Sequence, residues 1–248
     1  MFEHELAARV VRIDRGRITI QTIKGTNATA LDRTPNMEPI VVGDHVTYAR
    51  LEVPHDGVDL VVTEVAQRHG VLKRRAVNAT SQHRVIAVNV DVALVCEPLN
   101  SPLNQRRVER MVTIALAGGI TPVVILTKTD LADDLAADIA AARKVAPTAR
   151  VIASSAIEDA DDVRAELATV LGTGVTAVLF GPSGAGKSTL VNALFDADKQ
   201  LVRDIRASGY GRHTTTASTL LDLPSGGCII DTPGVRDLGV AEAVEAVD

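Results

Sequence analysis

The sequence predicts a small all-β barrel followed by a doubly wound α/β sheet. Short runs rich in Val, Ile and Thr, punctuated by Gly and Asp, fill the first 66 residues with no helical period. From about residue 85, apolar strand-like runs alternate with segments of helical spacing, the pattern of a parallel sheet covered on both faces. A glycine-rich stretch, Gly181-Pro182-Ser183-Gly184-Ala185-Gly186-Lys187-Ser188-Thr189, stands between one such strand and one such helix.

The β runs fall at residues 8–13, 17–22, 40–42, 45–49 and 58–65, with turn residues at Asp14-Arg15-Gly16, Gly43-Asp44 and Asp56-Gly57. About five short strands in this length suit a small barrel, with the OB-fold as first candidate; other small barrels and sandwiches share the pattern. The barrel is placed at residues 1–68, a basic linker at 69–84 and the α/β domain at 85–248. Within that domain, residues 84–96 form an apolar strand run, and residues 104–117 a helix with Val108, Met111, Val112, Ala115 and Leu116 on one face. Residues 122–126 are apolar throughout, as in a strand buried on both faces. An Ala-rich helix at 131–145, a strand at 149–153 and an acid-opened helix at 161–171 follow. Residues 177–180, 220–223 and 228–230 are strands, and 187–194 a helix.

Composition narrows the classes of function. Of 248 residues 46% are apolar, ample for a core. No apolar run reaches the roughly 18 residues that span a bilayer, and MFEHELAARV is not a signal sequence, so no membrane role is expected. Cys96 and Cys228 each sit in an apolar run; they predict neither a disulfide nor a zinc site and fit a reducing cytoplasm. The net charge of −5 is unlike a nonspecific nucleic-acid binder, but it is unevenly spread. Residues 1–85 hold 12 Lys and Arg against 10 Asp and Glu, whereas residues 86–248 hold 14 against 21. The densest basic run, Arg68-His69-Gly70-Val71-Leu72-Lys73-Arg74-Arg75, reads equally as a solvated linker or an RNA contact.

The stretch at 181–189 matches G-x-x-x-x-G-K-[ST], a phosphate-binding loop, with a strand before it and a helix after it. Glycines let backbone N–H groups curl around phosphate oxygens, and the helix that follows points its positive end at the anion. Lys187 is expected to reach the β- and γ-phosphates and Ser188 to ligate Mg²⁺. Asp231-Thr232-Pro233-Gly234 follows a strand about 40 residues later. Asp231 is placed to organise Mg²⁺ and the Gly234 N–H to meet the γ-phosphate.

Thr127-Lys128-Thr129-Asp130 also follows an apolar strand. The Asp130 carboxylate can accept from the N1–H and exocyclic amine of guanine, a donor pair that adenine lacks. The Lys128 stem can cover the base. Ser154-Ser155-Ala156 ends the next strand, where a backbone N–H, that of Ala156, can donate to guanine O6.

These motifs resemble those of Ras-like GTPases, but there the phosphate loop comes first. Here the order is T-K-T-D, S-S-A, phosphate loop, Gly211-Arg212-His213-Thr214-Thr215-Thr216, D-T-P-G. The chain is similar to the circularly permuted GTPases, and among them to the small-ribosomal-subunit biogenesis family of RsgA (YjeQ) type, over about residues 5–240. The resemblance implies an α/β P-loop GTPase domain with a permuted doubly wound sheet, preceded by an OB-fold. It implies GTP hydrolysis to GDP with Mg²⁺ late in small-subunit maturation, stimulated by the subunit, with the OB-fold on ribosomal RNA. Thr127, Lys128 and Asp130 would hold guanine, residues 181–189 the phosphates, and Thr215 or Thr216 would complete the Mg²⁺ shell. A monomer is expected. The family carries a zinc domain after D-T-P-G, whereas here 14 residues follow Gly234 and none is Cys or His.

Ras-like enzymes orient the attacking water with a Gln just after D-x-x-G. Here that position is Val235, and the nearest polar candidate is His213, which is either the water-orienting residue or an ordinary loop residue. Two other functions compete with a GTPase switch. One is an ATP-using P-loop enzyme, which Asp130 disfavours. The other is a nucleotide-dependent RNA-binding module with little catalysis, which the intact Lys187, Ser188 and Asp231 disfavour.

Overall fold

The computed structural model describes residues 3–14, 17–32, 39–75, 83–155, 160–195 and 218–231. The first strands are β1 (Glu3–Asp14), β2 (Arg17–Thr22), β3 (Asn27–Asp32), β4 (His45–His55) and β5 (Val58–Val65). They pair in the order β1-β2-β3-β5-β4, and β4 returns to β1, which closes a ring. Alternate residues such as Ile18 and Ile20, Val46 and Tyr48, and Leu60 and Val62 point into its interior, as the two-residue strand period requires.

Two strand expectations differ from the structure. Residues 40–42 are not a strand: Asp44 folds back on them, its carboxylate accepting from the Val41 N–H at 2.8 Å and its own N–H donating to the Val41 carbonyl at 3.2 Å. The fifth strand is instead β3, NATALD, whose Ala and Asn residues carry little β signal and which forms by pairing with β2 and β5.

Asp44 is fully buried and holds Arg68 through both carboxylate oxygens, at 2.7 and 2.8 Å. Arg68 is thereby withdrawn from the basic run at the end of the barrel. In the same run Leu72–Arg75 forms a strand, β6, antiparallel to β7 (His83–Ala87).

The second half contains β8 (Val92–Pro98), α1 (Gln105–Ala117), β9 (Thr121–Thr127), α2 (Leu135–Val145), β10 (Arg150–Ser154), α3 (Ala160–Ala168), β11 (Thr176–Phe180), α4 (Lys187–Phe195), β12 (Thr219–Asp222) and β13 (Cys228–Asp231). Five strands run parallel in the order β10-β9-β8-β11-β13; β12 is antiparallel to β13 and pairs in turn with β1, so barrel and α/β sheet are continuous. Strand β8 is buried along its whole length. Its residues alternate between the two helical layers: Ala93 and Val95 meet the side covered by α1 and α2, while Val92, Leu94 and Cys96 meet that of α3 and α4.

The apolar run at 84–96 is two strands, because the chain turns at Asn89 (φ 55°), whose buried amide donates to the Gly43 carbonyl at 2.9 Å. The helix expected at 131–145 starts only at Leu135, where Asp134 caps the Ala137 N–H at 2.9 Å. Leu116, expected on the inner face of α1, is about half exposed.

These elements place the carboxyl ends of β8, β9, β10, β11 and β13 along one edge, where open α/β sheets bind ligands. The barrel docks near the opposite edge. Arg9 of β1 donates to Thr176 Oγ1 at 2.7 Å and to Cys228 Sγ at 3.2 Å, the first residues of β11 and β13.

Candidate nucleotide site

The phosphate-loop candidate leaves the carboxyl end of β11. Gly181 has φ 145°, and a Cβ there would collide with the Cys96 carbonyl oxygen of β8. Only glycine lets the loop start this close to the neighbouring strand. Gly184 and Gly186 also take left-handed φ, 76° and 78°. Pro182 and Ala185 close the turn through the Ala185 N–H, which donates to the Pro182 carbonyl at 3.2 Å. Helix α4 starts at Lys187, and the Leu190 N–H donates back to the Gly186 carbonyl at 2.8 Å. The Lys187 ammonium folds over the loop and donates to the Gly181 and Pro182 carbonyls, both at 2.6 Å. Ser183, Ser188 and Thr189 are exposed.

The base-site candidate leaves β9, two strands away with β8 between. Lys128 takes a left-handed conformation (φ 57°, ψ 44°) that costs a non-glycine residue about 1 kcal/mol or more, and it turns Thr129–Leu131 into a short 3-10 turn. This sharp turn presents Lys128 and Asp130 beyond the strand end. Ser154 pairs with Thr127 in the parallel register, which sets the buried Ser155 beside them.

The two loops meet. The Thr127 hydroxyl is buried and donates to the Ala185 carbonyl at 2.9 Å, tying the base motif to the phosphate loop. Thr127, Lys128, Asp130, Leu131, Ser155, Gly186 and Thr189 line one cavity of about 190 Å³. Leu131 was not expected there; its place directly after Asp130 in so tight a turn was the available signal. Asp231 ends β13, which lies parallel beside β11. Ala156, His213, Thr215, Thr216 and Gly234 lie outside the described residues.

Beneath the loops lie two groups that the motifs did not single out. Burial pushes the Cys96 thiol up to about 12, which makes it inert as a nucleophile. Glu97 follows it, fully buried, and pairs with Arg107 of α1. An acid inside the apolar run ALVCEP was the sequence signal for it.

The fold is of the P-loop nucleotide-binding class, with β9 and β10, which carry the T-K-T-D and S-S-A motifs, preceding β11, which carries the glycine-rich loop, along the chain. A family model described as RsgA GTPase matches residues 65–241. The chain is 40% identical over 253 residues to the small ribosomal subunit biogenesis GTPase RsgA of Streptomyces avermitilis, covering 98% of this chain and 65% of that protein. It is 42% identical over 180 residues to RsgA 2 of Lactiplantibacillus plantarum, covering 72% of this chain and 50% of that one. Among solved structures it superposes on YjeQ from Thermotoga maritima with a TM-score of 0.66 at 24% identity, over 93% of this chain and 75% of that one. It superposes on YloQ, a circularly permuted GTPase, with a TM-score of 0.61 at 18% identity, over 94% and 72%. The chain belongs to the RsgA GTPase family, and it spans about two thirds of the length of the Streptomyces relative.

Proposed function

We propose that the protein binds GTP in this cavity, hydrolyses it to GDP and phosphate, and acts in maturing the small ribosomal subunit. One observation carries the reading: a guanine-type motif and a phosphate loop from separate parts of the chain face one cavity and are joined by the Thr127 hydroxyl. The ribosomal assignment is supported by relatives that are named small ribosomal subunit biogenesis GTPases.

The Asp130 carboxylate selects guanine, Lys128 covers the base, and the 156 backbone N–H meets O6. The 181–189 loop holds the phosphates, with Lys187 on the β- and γ-oxygens and the Gly234 N–H on the γ-phosphate. The Ser188 hydroxyl and Asp231 carboxylate are hard oxygen donors suited to Mg²⁺, with a hydroxyl from Thr215 or Thr216. When bound, that ion supplies positive charge against the phosphate oxygens. His213 accepts a hydrogen bond from the attacking water and holds it in line, the work that Val235 cannot do.

The N-terminal ring is assigned as an OB-fold, on its five-strand order and closure. It contacts ribosomal RNA together with the adjoining basic segment, where Lys73 is exposed. The protein works as a monomer in the cytoplasm. Its domains are the barrel at 1–68, the connecting basic segment at 69–84 and the GTPase unit from 85.

Single-turnover GTP hydrolysis with and without purified small subunits tests this reading. Subunits are expected to raise the rate, and His213→Ala to lower the stimulated rate about 10²-fold with little change in GTP affinity. No stimulation would remove the ribosomal role. A stimulated His213→Ala rate within a few-fold of the unaltered protein would return the water-orienting task to the partner.

A further inference from the structure

Glu97 has no part in the reading above, yet it is a fully buried carboxylate at the carboxyl end of β8, between the strand of the base motif and the strand of the phosphate loop. Its chain neighbour Cys96 is the residue whose carbonyl oxygen the start of the loop presses against at Gly181. Lys187 donates to the carbonyl of Gly181 itself at 2.6 Å. A bare negative charge here would oppose a polyphosphate and compete for the Lys187 ammonium, across a packed interior that screens charges poorly.

Arg107, in the first turn of α1, answers that charge. Its guanidinium donates from Nε to Glu97 Oε2 at 2.7 Å and from Nη2 to Oε1, a two-pronged pair. The Asn104 N–H adds a third donor, at 3.3 Å. The Glu97 hydrogen bond in turn holds the Arg107 guanidinium above its usual range. Burial is what chiefly pushes the Cys96 thiol up, and Lys187 and Glu97, on either side of it, act on that sulfur in opposite senses.

We propose that Arg107 neutralises Glu97 toward the phosphate loop and thereby sets how tightly the loop holds the phosphates of a guanine nucleotide. This rests on the nucleotide reading above. Arg107 is a positioning residue, because it acts through Glu97 and not on the ligand.

Two single substitutions separate charge from bracing by sign. Arg107→Met keeps a long apolar stem and bares the carboxylate. Glu97→Gln keeps an acceptor oxygen for Asn104 and Arg107 and bares the guanidinium. GDP binding to the full chain, followed by titration calorimetry, is expected to weaken about tenfold in Arg107→Met and to tighten several-fold in Glu97→Gln. The double variant should return to the unaltered affinity. If Arg107→Met does not fold, the sign of the Glu97→Gln change decides alone. Weaker binding in Glu97→Gln, or unchanged binding in both, would overturn the proposal and leave the pair as a fold brace. Failure of the unaltered chain to bind GDP would instead remove the nucleotide reading, and this inference with it.

Discussion

Replacing Lys187 by alanine is expected to lower GTP turnover about 10³-fold while the fold survives. Its ammonium donates to two backbone carbonyls of the loop, both at 2.6 Å, and the residue is not one of the buried core. On the proposed reading it turns to phosphate oxygens when nucleotide binds, where negative charge develops as the γ-phosphoryl group leaves. Removing one preorganised electrostatic donor of this kind costs about 10²–10³ in rate, and a full positive charge sits at the upper end. Lys187→Arg is not expected to rescue, since a planar fork differs from a compact ammonium in reach and shape. Single-turnover hydrolysis at saturating GTP, with circular dichroism as the fold control, measures the loss. A rate within a few-fold of the unaltered protein would withdraw 181–189 as the phosphate loop.

The second large effect is a change of base. Asp130 lies exposed on the cavity wall beyond a sharp left-handed turn, so its replacement disturbs no core packing. Asp130→Asn exchanges an acceptor for an amide that can donate to a carbonyl at purine C2. GTP affinity is expected to fall about 10³-fold, with a relative gain for xanthosine triphosphate, because a site built around paired hydrogen bonds strongly rejects a mismatched partner. Competition between the two nucleotides for the variant reads this directly. Unchanged GTP affinity would show that Thr127–Asp130 is not the base site.

Much of this site was legible because its chemistry is local. A loop that wraps phosphate needs glycines, a cation and a helix start within nine residues, and the sequence spells them in order at 181–189. Strand and helix positions around it followed from apolar periodicity, as α1 shows with Val108, Met111, Val112 and Ala115 buried. Leu116 failed because a helix face has an edge, and a residue one step beyond it looks the same in sequence. The misses elsewhere share a cause. Strand β3 exists through its pairing with β2 and β5, and residues 40–42 are claimed by the Asp44 turn; neither partner is visible in a local window. The same holds for Arg68. It reads as part of a basic run, but a buried Asp44, 24 residues earlier, takes its charge. The Thr127 hydroxyl, expected at the guanine, also donates to the Ala185 carbonyl, 58 residues away, a link between two loops that no local window shows.

A guanine nucleotide site in the cavity between Thr127 and Thr189 must discriminate between purine bases. Titration of the unaltered protein with GDP and with ADP, under identical Mg²⁺ and salt, tests it most directly. GDP is expected to bind at least about 100-fold more tightly than ADP, since only guanine offers Asp130 its paired donors. Equal affinity for the two would contradict it.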